Sequence, residues 1–172
     1  MQKIVQKDAA VLRQIAKAVT RPEFNSPALK TLLRDMSASL AQEPDGIALA
    51  APQIGVSKRV FIVSHKISGE NNEKTEVRPD LVFINPVITK LSKKKKLLEE
   101  GCLSVRPIYG EVARAEKASV EAYDETGQKF TRHGSGLLAQ IFQHEIDHLN
   151  GILFIDKAEN LHEILPEELE NS

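Results

Sequence analysis

The segment His144-Glu145-Ile146-Asp147-His148 constrains this chain more than any other stretch. It lies in an apolar run in which Leu137, Leu138, Ile141, Phe142 and Leu149 recur at helical spacing. Ser135 offers an N-cap before it and Asn150-Gly151 a stop after it. Histidines four residues apart on a helix share one face, one turn from each other. Two imidazole nitrogens then converge where one metal ion can touch both. Glu145 follows the first of them directly and is placed to take a proton from an attacking water. A helix this apolar is expected at the centre of a core, where its ligands are fixed and water is restricted.

Two histidines leave a tetrahedral ion short of ligands. The chain has one cysteine, Cys102, in Glu99-Glu100-Gly101-Cys102-Leu103-Ser104. A single cysteine forms no internal disulfide, so nothing points to an oxidised framework. A lone cysteine is often a small buried hydrophobe, but two glutamates, a glycine and a serine around it are not core filling. A Cys-His-His set leaves a fourth position open, the pattern of a catalytic rather than a closed structural site. A third segment, Gly46-Ile47-Ala48-Leu49-Ala50-Ala51-Pro52-Gln53-Ile54-Gly55, is rich in small residues and carries one polar side chain. Small residues let another backbone or a substrate come close, and the Gln53 amide can donate to a developing oxyanion. By itself it is equally a tightly packed loop.

Together, Ala50-Ala51-Pro52-Gln53-Ile54-Gly55, Glu100-Gly101-Cys102-Leu103-Ser104 and Gln143-His144-Glu145-Ile146-Asp147-His148 resemble the peptide deformylase family, which carries three such motifs in this order. Here they are separated by about fifty and then about forty residues. The resemblance includes the opening Asp8 to Arg13 and fades after Phe154-Ile155-Asp156. It implies Cys102, His144 and His148 as metal ligands and Glu145 as general base and acid. It implies Gln53 and the backbone N–H of Leu103 as donors to the tetrahedral oxyanion. It also implies a substrate strand that begins at Gly46 and runs through Ile47 and Ala48. The implied substrate is the N-formyl group on the initiator methionine of nascent peptides, with formate and a free amine as products. The implied cofactor is one divalent metal ion, ferrous iron in the cell, which zinc, nickel or cobalt can replace. On the helix, Leu137, Gln140 and Ile141 share the face of His144 and His148, so they are expected to line a pocket beside the metal. Leu137 and Ile141 suit a methionine side chain. Gln140 does not, unless its amide turns to solvent or bonds backbone.

Two features depart from the family pattern. Its glycine-rich segment usually reads Gly-x-Gly-Leu-Ala, and here the second glycine is Ala48, which sets a methyl where the substrate backbone approaches. That predicts a weaker or more selective enzyme. Some bacterial members dock on the ribosome through a basic C-terminal helix. Here residues 157–172 form an acidic tail with Glu159, Glu163, Glu167, Glu168 and Glu170, so docking of that kind is not expected, because phosphate backbones attract Lys and Arg. Two other readings compete. A zincin-type metallopeptidase shares His-Glu-x-x-His, but its third ligand lies downstream, where only His162 and several glutamates are available. A catalytically weak, deformylase-like metal- or peptide-binding protein would retain the ligands without turnover, and the retained Glu145 argues against it.

The remaining sequence suits an α+β fold, with antiparallel strands packed around a central metal-bearing helix. A chain of 172 residues fits one domain with a sizeable core. A net charge of −1 points to no general nucleic-acid or membrane partner. No apolar stretch approaches the roughly 20 residues of a membrane helix, and no secretory segment opens the chain, so a cytoplasmic location is expected. Leu12, Ile15, Ala16 and Val19 suggest a first amphipathic helix. Ser26-Pro27 caps a second, carrying Leu29, Leu32, Leu33, Met36 and Leu40. Strands are expected at Val60 to Val63, Leu81 to Ile84 and Val87 to Leu91. A hairpin turning at Asp124-Glu125-Thr126-Gly127 joins Val120–Tyr123 to Gln128–Thr131. Ile152 to Ile155 reads as a buried strand or a clamp on the helix. Ser68 to Arg78 reads as a mobile polar loop and Lys93 to Lys96 as a solvated turn. His65, His133 and His162 read as surface or structural residues, and Asp147 as a residue behind the metal ligands or on the helix surface rather than a ligand.

Overall fold

A computed structural model describes residues 2–67 and 79–164. The expected polar loop at 68–78, and the part of the acidic tail beyond 164, lie outside the described residues. Among the described residues the architecture is α+β: two antiparallel sheets and two α-helices, α1 (Pro27–Leu40) and α2 (Leu137–Leu149). The larger sheet contains β1 (Ala48–Ala50), β2 (Val60–Val63), β3 (Leu81–Leu91), β6 (Lys117–Tyr123) and β7 (Lys129–Ser135), in the order β1-β2-β3-β6-β7. The smaller contains β4 (Lys95–Gly101), β5 (Ile108–Ala115) and β8 (Glu159–Glu163), in the order β4-β5-β8.

The large sheet is covered on both faces, which its strand β2 records as an unbroken apolar run. Val60, Phe61, Ile62 and Val63 are all fully buried, and period-two alternation divides them between two cores. Phe61 and Val63 join the cluster under α2 with Phe83, Val120, Phe142 and Ile146. Within it Phe61 stacks on Phe83 at 4.5 Å, and Phe83 meets Phe142 edge-on at 5.3 Å. Val60 and Ile62 join Leu29, Met36 and Leu40 of α1 on the opposite face. A third cluster, with Leu12, Cys102, Val105, Val112, Leu153 and Phe154, lies beside the small sheet. α2 therefore contacts both sheets, and the Gln143 side chain pins it to β5. That amide accepts from the Ala115 N–H at 3.0 Å and donates to the Ala115 carbonyl at 3.0 Å.

Several local expectations match. The Ser26 hydroxyl accepts from the Leu29 N–H at 3.1 Å, with Pro27 in the first turn of α1. β2 spans the expected residues, and β6 and β7 turn at Asp124–Gly127. The lysine run is a connection between strands only at Lys93 and Lys94, since Lys95 and Lys96 already open β4; Lys94 and Lys96 face Glu116.

Others are corrected. The first amphipathic helix is absent: only a 3-10 turn at Ala10–Arg13 forms, and Ile15 is exposed. Leu12, Ala16 and Val19 are buried as their spacing suggested, but each in a different cluster. A helix turn advances only about 5 Å, so an extended segment is what reaches all three. Its backbone is satisfied from outside, by Ala16 N–H to the Leu149 carbonyl at 2.9 Å and Arg59 N–H to the Lys17 carbonyl at 2.8 Å. Ser135 ends β7 and does not cap α2. The capping position is Gly136, at φ 55 and ψ −128, a backbone open to glycine. The two strands expected around Asn85-Pro86 are one, β3. It passes a bulge at Asn85, whose amide side chain bonds both the N–H and the carbonyl of Val19 at 2.8 Å. Residues 152–155 form no strand: Leu153 and Phe154 are buried in the cluster beside the small sheet, and Phe154 opens a 3-10 turn and meets α2 through its ring, 6.3 Å from that of His144. Part of the tail, at 159–163, is strand β8 on the open edge of β5.

Candidate active site

α2 presents His144, Glu145 and His148 toward the end of β4, where Gly101 leads into Cys102. The ligand atoms of Cys102, His144 and His148 lie within 4.8 Å of one another. The Cys102 Sγ is 3.3 Å from His148 Nε2. His144 Nδ1 faces the Glu100 Oε2 at 2.9 Å, which turns its Nε2 toward the thiol. One soft sulfur and two imidazole nitrogens converging in a buried corner fit a divalent metal ion with one further position open. Among the described residues no other group of this kind occurs. His162 lies on β8, where it faces Glu99. The downstream ligand that a zincin-type site requires is therefore not supplied by His162.

Alternation along β4 explains why Glu100 is available. Glu99 and Gly101 face one side of the strand, and Glu100 faces inward to α2. Burial opposes its charge, but hydrogen bonds from His144 and Arg114 outweigh burial and hold its carboxyl at about 2. Arg114, on β5, meets Glu100 through two nitrogens, at 2.7 and 3.0 Å, and Asp147 through a third at 2.7 Å. Asp147 continues to Lys157 at 2.8 Å, so it belongs to the ion network behind the Cys102-His144-His148 cluster and not to that cluster.

Glu145 behaves differently. It is buried, and its Oε2 meets no hydrogen-bond partner. Burial raises its carboxyl to about 7, with Glu100 adding to the rise and His144 opposing it. A carboxyl poised there can both accept and return a proton near neutrality. Gln53 sits on a 3-10 turn after β1. Its Oε1 accepts from the Ala50 N–H at 2.8 Å, which aims its Nε2 at the Cys102 Sγ and the Ser104 Oγ, at 3.5 and 3.3 Å. The Leu103 N–H finds no acceptor among the described residues, while its carbonyl takes Gln6 Nε2.

A cavity of about 340 Å³ opens over these groups. Gly46, Ile47, Ala48, Leu137, Gln140 and Ile141 all border it, as do Glu145, His144 and Gln53. The Gln140 amide is turned away from an apolar occupant and donates to the Glu99 carbonyl at 2.9 Å. β1 is an edge strand. The Ser64 N–H donates to the Ile47 carbonyl at 2.8 Å, so ladder alternation leaves the N–H and carbonyl of Ala48 on the free edge. The Ala48 methyl points elsewhere, into the cluster beneath α2 that includes Ile141. It borders the cavity from that side and leaves the backbone edge of β1 open.

Sequence reasoning missed four residues here. Glu100 was visible as a charged neighbour of Cys102. Arg114, Arg106 and Tyr109 give no local signal, because their partners lie far away in the sequence. Arg106 bridges Glu43, at 2.8 Å, and Asp45, and it borders the cavity with Tyr109.

Comparison with known proteins agrees with this geometry. A family model described as polypeptide deformylase matches residues 1–163. A peptide deformylase of Pelotomaculum thermopropionicum is 42% identical over 166 residues, covering 96% of this chain and 97% of that one. The crystal structure of a peptide deformylase from Legionella pneumophila superposes with a TM-score of 0.80 at 41% identity, covering 93% of this chain and 87% of that one. A Met-Ala-Ser-bound class I type b peptide deformylase from Acinetobacter baumannii superposes with a TM-score of 0.79 at 37% identity, covering 91% and 98%. The chain belongs to the polypeptide deformylase family.

Proposed function

We propose that this enzyme hydrolyses the formyl group from the N-terminal methionine of newly made polypeptides, releasing formate. The observation that carries the reading is the Cys102-His144-His148 cluster, which reaches a cavity through Cys102 and His144, beside a buried carboxylate with an unpartnered oxygen. Cys102, His144 and His148 would hold a divalent ion, which when bound would supply Lewis acidity toward a carbonyl and a water. Glu145 takes the proton of the attacking water and returns it to the leaving amine. Gln53 Nε2 and the Leu103 N–H receive the charge that develops on the formyl oxygen. The peptide backbone adds to the free edge of β1 through Ala48. Its methionine side chain enters between Ala48, Leu137 and Ile141. The Acinetobacter relative's Met-Ala-Ser complex supports a peptide of this kind in the cavity.

As the family resemblance implies, ferrous iron is the ion we assign in the cell, with zinc, nickel or cobalt as substitutes. Nascent chains as substrates imply work in the compartment of protein synthesis. No helix among the described residues is long and apolar enough to cross a membrane. The test is formate release from formyl-Met-Ala-Ser by anaerobically purified protein of measured metal content, with acetyl-Met-Ala-Ser and Met-Ala-Ser as controls. Formate from the formyl peptide alone is expected. Cleavage of an internal bond in the unformylated peptide would overturn the reading in favour of an endopeptidase.

A further inference from the structure

We propose that His162 of β8 is a positioning residue for the substrate cavity, holding Tyr109 and Glu99 on the wall that meets the peptide downstream of its formyl-methionine. Three strands set one row of neighbours there: Gly101 of β4 faces Tyr109 of β5, and Tyr109 faces His162 of β8. Directly opposed residues of antiparallel strands share a face and touch. Gly101 has no side chain, and the Tyr109 ring fills the space above it. A Cβ on Gly101 would lie 2.4 Å from the Tyr109 Cε1, so the ring lies against the backbone one residue before Cys102. From the other side, the His162 ring stacks on Tyr109, with centroids 6.3 Å apart and planes at 29°. His162 Nε2 then reaches Glu99 Oε1 at 3.1 Å, while its Nδ1 faces the Asn160 carbonyl at 3.0 Å within its own strand. Tyr109, Gly101 and Glu99 border the cavity, and His162 does not. It therefore acts through the two side chains it holds.

The direction of the substrate gives this wall its role, and the inference rests on the deformylase reading in that respect. Gln53 and Ala50 mark the metal end of the β1 edge, since the Gln53 amide touches Cys102 and Ala50 together. A peptide whose formyl group lies at the metal must extend back along β1, past Ala48 and Gly46, toward Asp45. Asp45 is bridged to Arg106, three residues before Tyr109. At about 3.3 Å per residue, an extended chain leaves the apolar pocket and comes level with this wall two or three residues after the methionine. A formyl dipeptide is too short to use all of it. A strand that composition alone marks as acidic tail thus supplies a brace for substrate length.

The experiment compares kcat/KM on formyl-Met-Ala with that on formyl-Met-Ala-Ser-Ala, for metal-loaded wild type, His162→Ala and His162→Phe. A cross-strand pair of this kind corresponds to about 2–5-fold. The long-to-short ratio is expected to fall by that factor in His162→Ala, through KM. His162→Phe, which keeps a ring against Tyr109 and loses the bond to Glu99, should recover part of it. In a Tyr109→Ala, Glu99→Ala background, His162→Ala should add nothing further. The surface variant His133→Ala serves as the control for an exposed histidine. An equal loss on both peptides, accompanied by a fall in melting temperature, would show that β8 only stabilises the fold and would overturn the proposal, as would an unchanged ratio. If wild type releases no formate from either peptide, the deformylase reading itself fails. Affinity for Met-Ala-Ser, titrated on wild type and His162→Ala, then decides the wall separately: a 2–5-fold weakening supports it and equal affinity overturns it.

Discussion

Replacing Glu100 by glutamine should destabilise the protein strongly at neutral pH and much less in acid. The Glu100 carboxyl is held at about 2 against an ordinary 4.5, and its side chain is 3% exposed, so solvent screens little of the interaction. A separation of that size corresponds to about 3 kcal/mol at 1.36 kcal/mol per unit. The folded value lies below the unfolded one. The stabilisation is therefore complete above about pH 4.5 and declines as pH falls toward 2. By linkage, about 1.4 kcal/mol remains at pH 3. The variant keeps shape and loses the charge, leaving Arg114 with Asp147 alone. Urea unfolding of chelator-treated wild type and Glu100→Gln, at pH 7 and pH 3, measures both differences without metal release intervening. The difference should shrink by about half or more between the two pH values. A difference of equal size at both would show that Glu100 contributes through its shape and neutral hydrogen bonds, and the electrostatic argument would fail. In metal-loaded protein the same change should weaken metal affinity about 10–100-fold, because the carboxylate orients His144.

Wild type should hold one ion per chain, and Cys102→Ala or His148→Ala should remove most of it, as read by elemental analysis after gel filtration; full occupancy in both variants would discard the ligand set. Glu145→Gln should retain metal and fold while kcat falls about 10²–10⁴-fold, and a variant keeping a tenth of the wild-type rate would free Glu145 from its proton-transfer role. Ala48→Gly should cost about 1–2 kcal/mol, from one lost buried methyl and a more flexible strand, and should leave kcat/KM on formyl-Met-Ala no higher. A several-fold gain there would mean that the methyl does obstruct the substrate.

The parts of this molecule that could be read from sequence are those whose cause is local. The α2 periodicity, the Ser26-Pro27 start of α1 and the apolar β2 run each carry their reason within a few residues. So do the His-Glu-x-x-His spacing and the Gln53 and Cys102 segments. The first helix failed for the opposite reason. Leu12, Ala16 and Val19 have a helical spacing, yet the clusters that bury them are too far apart for one helix face. Competition from tertiary burial decided the backbone there. The direction of the Ala48 methyl is not local either, since the pairing of β1 with β2 decides which way it points.

The site follows the same division, and the division has a functional logic. The residues that could hold a metal are written in two short motifs, but their orientation depends on contacts across sheets. Glu100 orients His144 from β4, Arg114 fixes Glu100 from β5, and Asp147 returns the network to α2. Gln143 ties the same helix to β5 at Ala115, next to Arg114. The small sheet therefore does more than cover a core. It leads into Cys102, orients His144 through Glu100, and supplies the cavity wall at Glu99, Gly101 and Tyr109. The large sheet supplies the β1 edge along which a peptide can pair. A change that loosened α2 from β5 would therefore disturb ligand orientation and cavity wall together while leaving the β1 edge in place. Damage to the metal site should in turn track the β4-β5-β8 sheet more closely than the larger one.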